Sequence, residues 1–468
     1  MISENERIPL VDPLREFFLG RMYPLLIATL VASGSILGVE AFTVMIHSAL
    51  VILAIIITNS LKPVIISLLT FVMQISVKHA PFHPTNSDYY YTGWRLPAFI
   101  ITGSALVAGL VFFVIRNKLY KSLSFKQTPL MTPLLVFSSG LILGGVGSDS
   151  WCATDLVYGV SNAFVYLVTF LVFYYGISDD SDSLADYFSY ASALTALVII
   201  SELAALFIRS DEIIVDGAIN KTAVSLGWGI WTLVGISLSV LIPMIFYAAE
   251  KGSRPVAYTA VATLTLVFAA LSMSRNALVT ASLAYASSLA YLSIFGERRR
   301  FFRRVALLEL LTVALAFPIV YERVRRILSD YFERGFSDNG RFKLWRFALK
   351  SFSERMLFGN GFSGLVVSDE LLYPFGPLVK QAHNTIIQLL SATGIFGTAS
   401  YIYYRIESLK PIFRAPSTKT VLAGVSVAVL LIGSLADNFV FNIYPTFHYT
   451  ISMVIIHKTK AEEDVKNN

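Results

Sequence analysis

Apolar stretches of close to helix-spanning length, separated by short polar turns, fill most of this 468-residue chain. A transmembrane helix needs about 20 predominantly apolar residues to cross the hydrocarbon, and about fourteen stretches come near that length. They run near residues 22–40, 42–59, 61–77, 96–115, 130–147, 156–177, 187–208, 223–248, 255–273, 276–295, 305–320, 385–404, 420–438 and 443–457. The fold expected from this pattern is all-α: a polytopic integral membrane protein of about 12–14 transmembrane helices, because backbone polar groups in lipid must be satisfied within each span. Residues 1–21 are expected to be a cytoplasmic N-terminus, with membrane helices 1–11 over 22–320. A long extracytoplasmic loop follows at 321–384, then membrane helices 12–14 over 385–457 and a cytoplasmic tail at 458–468. Met1 to Gly20 shows neither the apolar core nor the small-residue cleavage site of a signal peptide.

Composition agrees with the pattern. Hydrophobic residues make up 55% of the chain and charged residues only 15%, against about 25% charged in soluble proteins. The net charge of +6 does not point to nucleic acid, since the basic residues sit in short clusters at the ends of apolar runs. A single cysteine, Cys152, forms no internal disulfide and fits no metal-ligand spacing.

Those basic clusters orient the chain. Arg116, Lys118, Lys121 and Lys126, then Lys251 and Arg254, the run from Arg298 to Arg304, and Arg405, Lys410, Arg414 and Lys419 fall on one face when both termini are cytoplasmic. The opposite face receives loops 78–94, 148–155, 209–221 and 321–384. The expected location is the bacterial inner membrane, with the long loop outside.

Several short motifs carry little. Gly359, Gly361 and Gly364 spell G-x-G-x-x-G, but without a strand before and a helix after the pattern reads as a tight turn. Asp180-Ser181-Asp182 has the form of a metal-binding acidic pair, yet lies in a short loop on the cytoplasmic side. His79 and His83 stand four apart, but Pro81 and Pro84 break the helix that would align them as zinc ligands.

The long loop is richer. Tyr321, Val324, Ile327 or Leu328, and Tyr331 recur at helical spacing, with Gly335 as a stop. After the candidate caps Ser337, Asp338 and Asn339 comes a second helix. Phe342, Trp345, Ala348 or Leu349, Phe352 and Met356 form its apolar stripe, and Arg341, Lys343, Arg346, Lys350 and Arg355 its polar face. Such a helix lies naturally among lipid headgroups. The loop ends in Gln381-Ala382-His383-Asn384, placing His383 at the seam with the next apolar span. Ionisable residues within apolar spans are costly and are functional candidates by default. Arg275, Glu202 and Asp437 qualify, the two acids also being possible ion-pair partners for Arg275.

Taken in order, these residues resemble a known family. Asn339-Gly340-Arg341, Trp345, Ala348, Gly359-Asn360-Gly361, then Ala382-His383-Asn384, Gln388, Gly394 and Gly397 are similar to the signature segment of the O-antigen ligase and O-antigen polymerase superfamily. Ser274-Arg275-Asn276-Ala277 resembles that family's Ser-Arg-Gly-Ala step, with Asn276 in place of glycine, and Gly217 to Asn220 its glycine and asparagine tract. Gln381 stands where members often carry a second histidine.

The resemblance implies a membrane glycosyltransferase that works without a nucleotide donor, cofactor or essential metal. The donor would be a glycan on undecaprenyl diphosphate, and the acceptor a sugar hydroxyl on another glycan or on lipid A-core. On this reading His383 is the general base, since imidazole titrates near about 6.5 in model peptides. Arg275 and Arg341 bind the diphosphate through paired donors; Arg209, Lys221, Asn384 and Asp437 are further substrate-binding candidates. Ligase and polymerase share all these motifs. A lipid-linked glycan flippase or other polysaccharide transporter is the alternative from another class, although the paired broken helices of repeated halves are not visible in the sequence.

Overall fold

The computed structural model describes residues 11–75, 86–124, 128–327, 340–363, 366–367, 378–379 and 381–467. Helices occupy the apolar stretches: Met22–Leu37, Glu40–Thr58, Val64–Ile75, Arg95–Arg116, Met131–Ile142, Ala153–Gly176, Ser181–Arg209, Trp231–Lys251, Pro255–Leu271, Arg275–Phe295, Arg299–Ile327, Thr385–Arg414, Thr418–Gly433 and Ile443–Asn467. By length and apolarity 7 of the described helices can cross a membrane, or up to 8 if the bent pair Asp12–Leu19 and Met22–Leu37 is one span. The expected fourteen is thus not reached on those criteria. Val64–Ile75, Met131–Ile142, Pro255–Leu271 and Thr418–Gly433 are apolar but shorter than a full crossing. The protein is a helical membrane protein.

Three two-stranded antiparallel ribbons depart from the all-helical expectation. In the first, Ile214–Val215 pairs with Ala218–Ile219 around Asp216 (φ 51°) and Gly217 (φ 79°). Two adjacent positive-φ residues make the primed turn whose twist matches a hairpin, and Asp-Gly is a preferred pair for it. The second joins Ser225–Leu226 to Gly229–Ile230, and the third joins Val366–Val367 to Leu378–Val379.

The chain divides into two compact units, Met1–Lys121 with Tyr175–Glu333 and Ser122–Tyr174 with Arg334–Asn468. The first is built around Trp231–Lys251, whose membrane-length window is 89% buried; a helix apolar on every side belongs at the centre of a bundle. Several charged and imidazole side chains inside this unit are paired. His47 contacts Gln74 Oε1 at 2.7 Å and Ser67 Oγ at 2.9 Å. Lys62 Nζ donates to Asp179 at 2.8 Å. Asp180 accepts from the Ser183 amide at 2.7 Å and caps the Ser181–Arg209 helix, so its acidic motif serves as a helix start. His79 and His83 lie outside the described residues.

In the second unit the Thr385–Arg414 helix packs on Met131–Ile142. A Cβ on Gly140 would stand 2.9 Å from the Gly397 Cα, so two glycines let the backbones touch, the usual means of helix association in lipid. Farther along the same helix the sequence expectation needs correction. Arg405 is not in a loop: it lies inside the helix, 6% exposed. Its guanidinium carbon is 5.5, 4.7, 5.0 and 4.3 Å from the ring centroids of Tyr166, Tyr401, Tyr404 and Tyr449, and Nη2 donates to the Tyr166 hydroxyl at 3.3 Å. Aromatic faces replace water around the cation, each desolvated contact being worth up to about 2 kcal/mol. Arg405→Ala is expected to lower the thermal unfolding midpoint in detergent by several degrees, reflecting a loss of about 2 kcal/mol or more. An unchanged midpoint would show that the tyrosine cage contributes nothing.

Candidate active site

The second unit contains His383, Asn384, Asp437 and Arg341; the first contains Arg275, Arg209 and Lys221. His383 is held from both sides in sequence. Before it, the Ala382 amide donates to Gln388 Oε1 at 2.7 Å, and the Ala382 carbonyl accepts from the Trp345 indole at 2.8 Å. After it, Asn384 caps the Thr385–Arg414 helix, its Oδ1 accepting from the Ile386 and Ile387 amides at 3.0 and 3.1 Å. The Asn384 Nδ2 donates to the Leu435 carbonyl at 2.8 Å, and the Thr385 amide to the Ser434 carbonyl at 2.9 Å. Between these anchors His383 adopts φ 49°, a left-handed conformation that non-glycine residues seldom take.

That backbone presents the imidazole to Asp437. His383 Nδ1 lies 3.0 Å from Asp437 Oδ1, with the histidine side chain 41% exposed and the aspartate 14%. A carboxylate can only accept, so the contact places a proton on Nδ1, and in the neutral imidazole that tautomer leaves the Nε2 lone pair free. Asp437 also accepts from the Asn438 amide at 2.9 Å, and Asn438 Nδ2 donates to Gln388 Oε1 at 3.3 Å. Gln388 therefore holds the residue before His383 and the residue after Asp437 with one oxygen. The sequence pattern places Asp437 inside a span, as a substrate-binding candidate or a possible ion-pair partner of Arg275. It stands instead in the turn between Thr418–Gly433 and the 3-10 segment Phe439–Phe441. Glu202, the other acid considered, is buried and accepts from the Trp228 indole at 2.9 Å.

The segment before His383 is fixed by a break in the helix after it. Gly394 has φ 64° and ψ −161° inside the Thr385–Arg414 helix, a conformation essentially confined to glycine. Residues 356–361 fill the break. Ile395 and Phe396 donate to the Met356 and Leu357 carbonyls at 2.8 and 3.1 Å, while Asn360 and Gly361 donate to the Ser391 and Ala392 carbonyls at 2.8 and 3.0 Å. Gly359 and Gly361 of the sequence that mimics a dinucleotide motif thus form a backbone clamp, while Gly364 lies outside the described residues. Gly361 (φ 85°) lies so close to Asp155 that a Cβ would meet its carboxyl carbon at 2.7 Å. Asp155, 1% exposed, accepts from the Ser363 amide at 2.6 Å and the Cys152 amide at 3.0 Å. Nothing in the sequence reading marked Asp155; an acid in the first turn of a helix is its only local signal.

Arg341 opens the Arg341–Glu354 helix after Gly340 (φ 78°). The expected caps Ser337, Asp338 and Asn339, with Leu328, Tyr331 and Gly335, lie outside the described residues. The preceding helix does run through Tyr321 to Ile327. The expected apolar stripe of Arg341–Glu354 is split. Ala348 is buried against Ala382 and Trp345 and Phe352 are half-buried, whereas Phe342, Leu349 and Met356 are exposed beside Arg346, Lys350 and Arg355; Leu344, outside the expected stripe, is buried.

In the first unit Arg275 is half-buried at the start of the Arg275–Phe295 helix, where Ser274 Oγ accepts from the Ala277 amide at 3.2 Å. Arg209 donates to the Ile36 carbonyl at 2.6 Å and so closes the end of the Met22–Leu37 helix. Lys221 Nζ lies 5.3 Å from the centroid of the Trp231 ring. Among the described residues no three His, Cys, Asp or Glu gather into a metal-binding group.

One segment contains Arg275, Arg341, the clamp and His383. Residues 260–402 match the O-antigen ligase family model. The resemblance drawn from Ser274 to Gly397 is borne out, while Asp437, Arg209 and Lys221 lie beyond the matched O-antigen ligase segment. No curated protein matches the chain.

Gly394→Ala is expected to cost about 3 kcal/mol or more, from the backbone conformation together with a Cβ that would stand 2.4 Å from the Leu357 carbonyl oxygen. Thermal unfolding in detergent measures it, and a wild-type midpoint would contradict the clamp.

Proposed function

We propose that the protein is a membrane glycosyltransferase of the O-antigen ligase type. In this proposal it takes a glycan from undecaprenyl diphosphate and transfers it to a sugar hydroxyl on the extracytoplasmic face of the bacterial inner membrane, both termini being cytoplasmic. The observation that carries the reading is the His383–Asp437 pair at 3.0 Å, His383 lying inside the matched segment and Asp437 beyond it.

His383 Nε2 takes the proton of the acceptor hydroxyl as that oxygen bonds to the donor's anomeric carbon, and the carbon–diphosphate bond breaks. Asp437 keeps the imidazole in the required tautomer and stabilises the cation that forms, as an orienting carboxylate does for other histidine bases. The departing diphosphate takes up negative charge, which arginine can bind through two parallel donors. The first amides of the Thr385–Arg414 helix are already used by Asn384 and Ser434, so that helix start does not offer them to the anion. Arg341 and Arg275 are assigned to bind it, with Arg209 and Lys221 secondary because each already supports local structure. Asn384 acts by fixing the helix start; both ends of its amide are engaged.

The test is transfer by purified protein given lipid-linked glycan. His383→Ala is expected to lower the rate by about a hundredfold or more, and undiminished transfer would remove it as base. Arg275→Lys and Arg341→Lys keep charge but lose the fork, so an unaffected rate in either would remove that residue from diphosphate binding. Gln388→Leu is expected to slow transfer at least about tenfold in folded protein by loosening the pair, whereas Gln388→Glu, which retains the accepting oxygen, should recover part of the loss. Equal rates in all three proteins would show that Gln388 does not position the site. With lipid-linked repeat units alone, a ladder of longer carrier-linked chains identifies a polymerase; growth only after lipid A-core is added identifies a ligase.

A further inference from the structure

The helices Asp12–Leu19 and Met22–Leu37 meet at an elbow of 61°. A cavity of about 380 Å³ opens there, lined by Leu19, Gly20, Arg21, Lys62 and, from the start of the Ser181–Arg209 helix and its cap, Asp180, Ser183, Asp186, Tyr187 and Tyr190. All of these belong to the first unit, and the proposed transfer uses none of them.

Two of the four charges are already committed. Lys62 Nζ donates to Asp179 and to Ser183 Oγ, each at 2.8 Å, and Asp180 caps its helix. Arg21 and Asp186 are both exposed, and among the described residues neither side chain makes a hydrogen bond or ion pair, with each other or elsewhere. The Arg21 guanidinium carbon lies 5.5 Å from the ring centroid of Tyr190. One cation and one acid thus line the same cavity with their hydrogen-bonding groups unspent, while Arg21 and Lys251 act on Asp186 through space without contacting it.

The depth of the cavity follows from its neighbours. Met22, Leu25 and Leu26, immediately beyond Arg21 on an apolar helix, are 62%, 39% and 42% exposed; in a membrane protein such residues face acyl chains. Arg21 stands at their polar end, which is headgroup depth.

We propose that this elbow is a binding site for a zwitterionic phospholipid headgroup of the phosphoethanolamine type. Arg21 takes the phosphate through its planar donors, and Asp186 takes the primary ammonium, with the tyrosine rings as a cation-attracting wall. The lining charges balance, Arg21 and Lys62 against Asp180 and Asp186, so a neutral headgroup suits it better than an anionic one. Choline has no N–H to offer Asp186, so ethanolamine is favoured over it.

Native mass spectrometry of purified protein given phosphatidylethanolamine, phosphatidylcholine or phosphatidylglycerol at equal ratio tests this. Wild-type protein is expected to retain phosphatidylethanolamine at least about tenfold better than either competitor, the difference one charge-assisted contact can make. Arg21→Ala and Asp186→Asn, shown folded by size exclusion, should each lose about that factor. Equal retention of phosphatidylglycerol would overturn the zwitterion assignment, and equal retention of phosphatidylcholine would overturn the role of Asp186. Variants that hold the lipid as wild type does would overturn the site. Displacement of the lipid by soluble glycerophosphoethanolamine at equal concentration would assign the cavity to a free compound and overturn the membrane source. The lipid comparison on wild-type protein decides the question even where a variant fails to fold.

Discussion

A helix inside lipid cannot leave backbone amides or carbonyls unpaired, since no water is there to take them. The Thr385–Arg414 helix nevertheless breaks at Gly394. The groups freed at the break are taken up by residues 356–361, which bond to it on both sides. Much of the second unit's loop architecture follows from that one demand. It explains why glycine stands at 359, 361 and 394, each with positive φ, and why Asp155 is buried against the clamp it helps to hold. It also ties the Arg341–Glu354 helix, which ends just before the clamp, to the helix that His383 precedes.

The reactive end of that helix is rigid for the same kind of reason. The chain on either side of His383 is anchored: Gln388 and Trp345 hold Ala382 before it, and Ser434 and Leu435 hold Thr385 and Asn384 after it. A left-handed histidine backbone costs free energy, and such strain persists only where the surroundings over-determine it. At the far end of the helix, Arg405 in its tyrosine cage supplies a second fixed point. The helix is therefore pinned at its start, at its break and near its end, which suits it to hold a base at constant aim.

Much of this was legible in the sequence, and the misses have physical causes. Span-length apolarity located the helices because it is a local property. It overcounted full crossings because Met131–Ile142 and Thr418–Gly433 are apolar yet short. His383 and Asp437 both stood out, but not as a pair, since 54 positions separate them and Asp437 was read as part of a span. Arg405 looked like a loop marker because a cation after an apolar run ordinarily is one; only the folded helix brings four tyrosines around it. The clamp was hidden for the opposite reason, its glycines spelling a motif whose meaning depends on neighbouring elements. Asp216-Gly217 carries a hairpin signal, within a stretch, 209–221, that topology alone marks only as a loop.

The central claim is that His383 removes a proton rather than merely shaping the loop. Its positive φ makes glycine the substitution that best preserves the backbone, so His383→Gly separates the two roles. The decisive measurement is glycan transfer from lipid-linked donor by folded His383→Gly protein with and without added imidazole. If His383 is the base, transfer is lost in the variant and returns in proportion to the free imidazole supplied. Wild-type transfer without imidazole, or a folded variant that imidazole cannot restore, would contradict the claim.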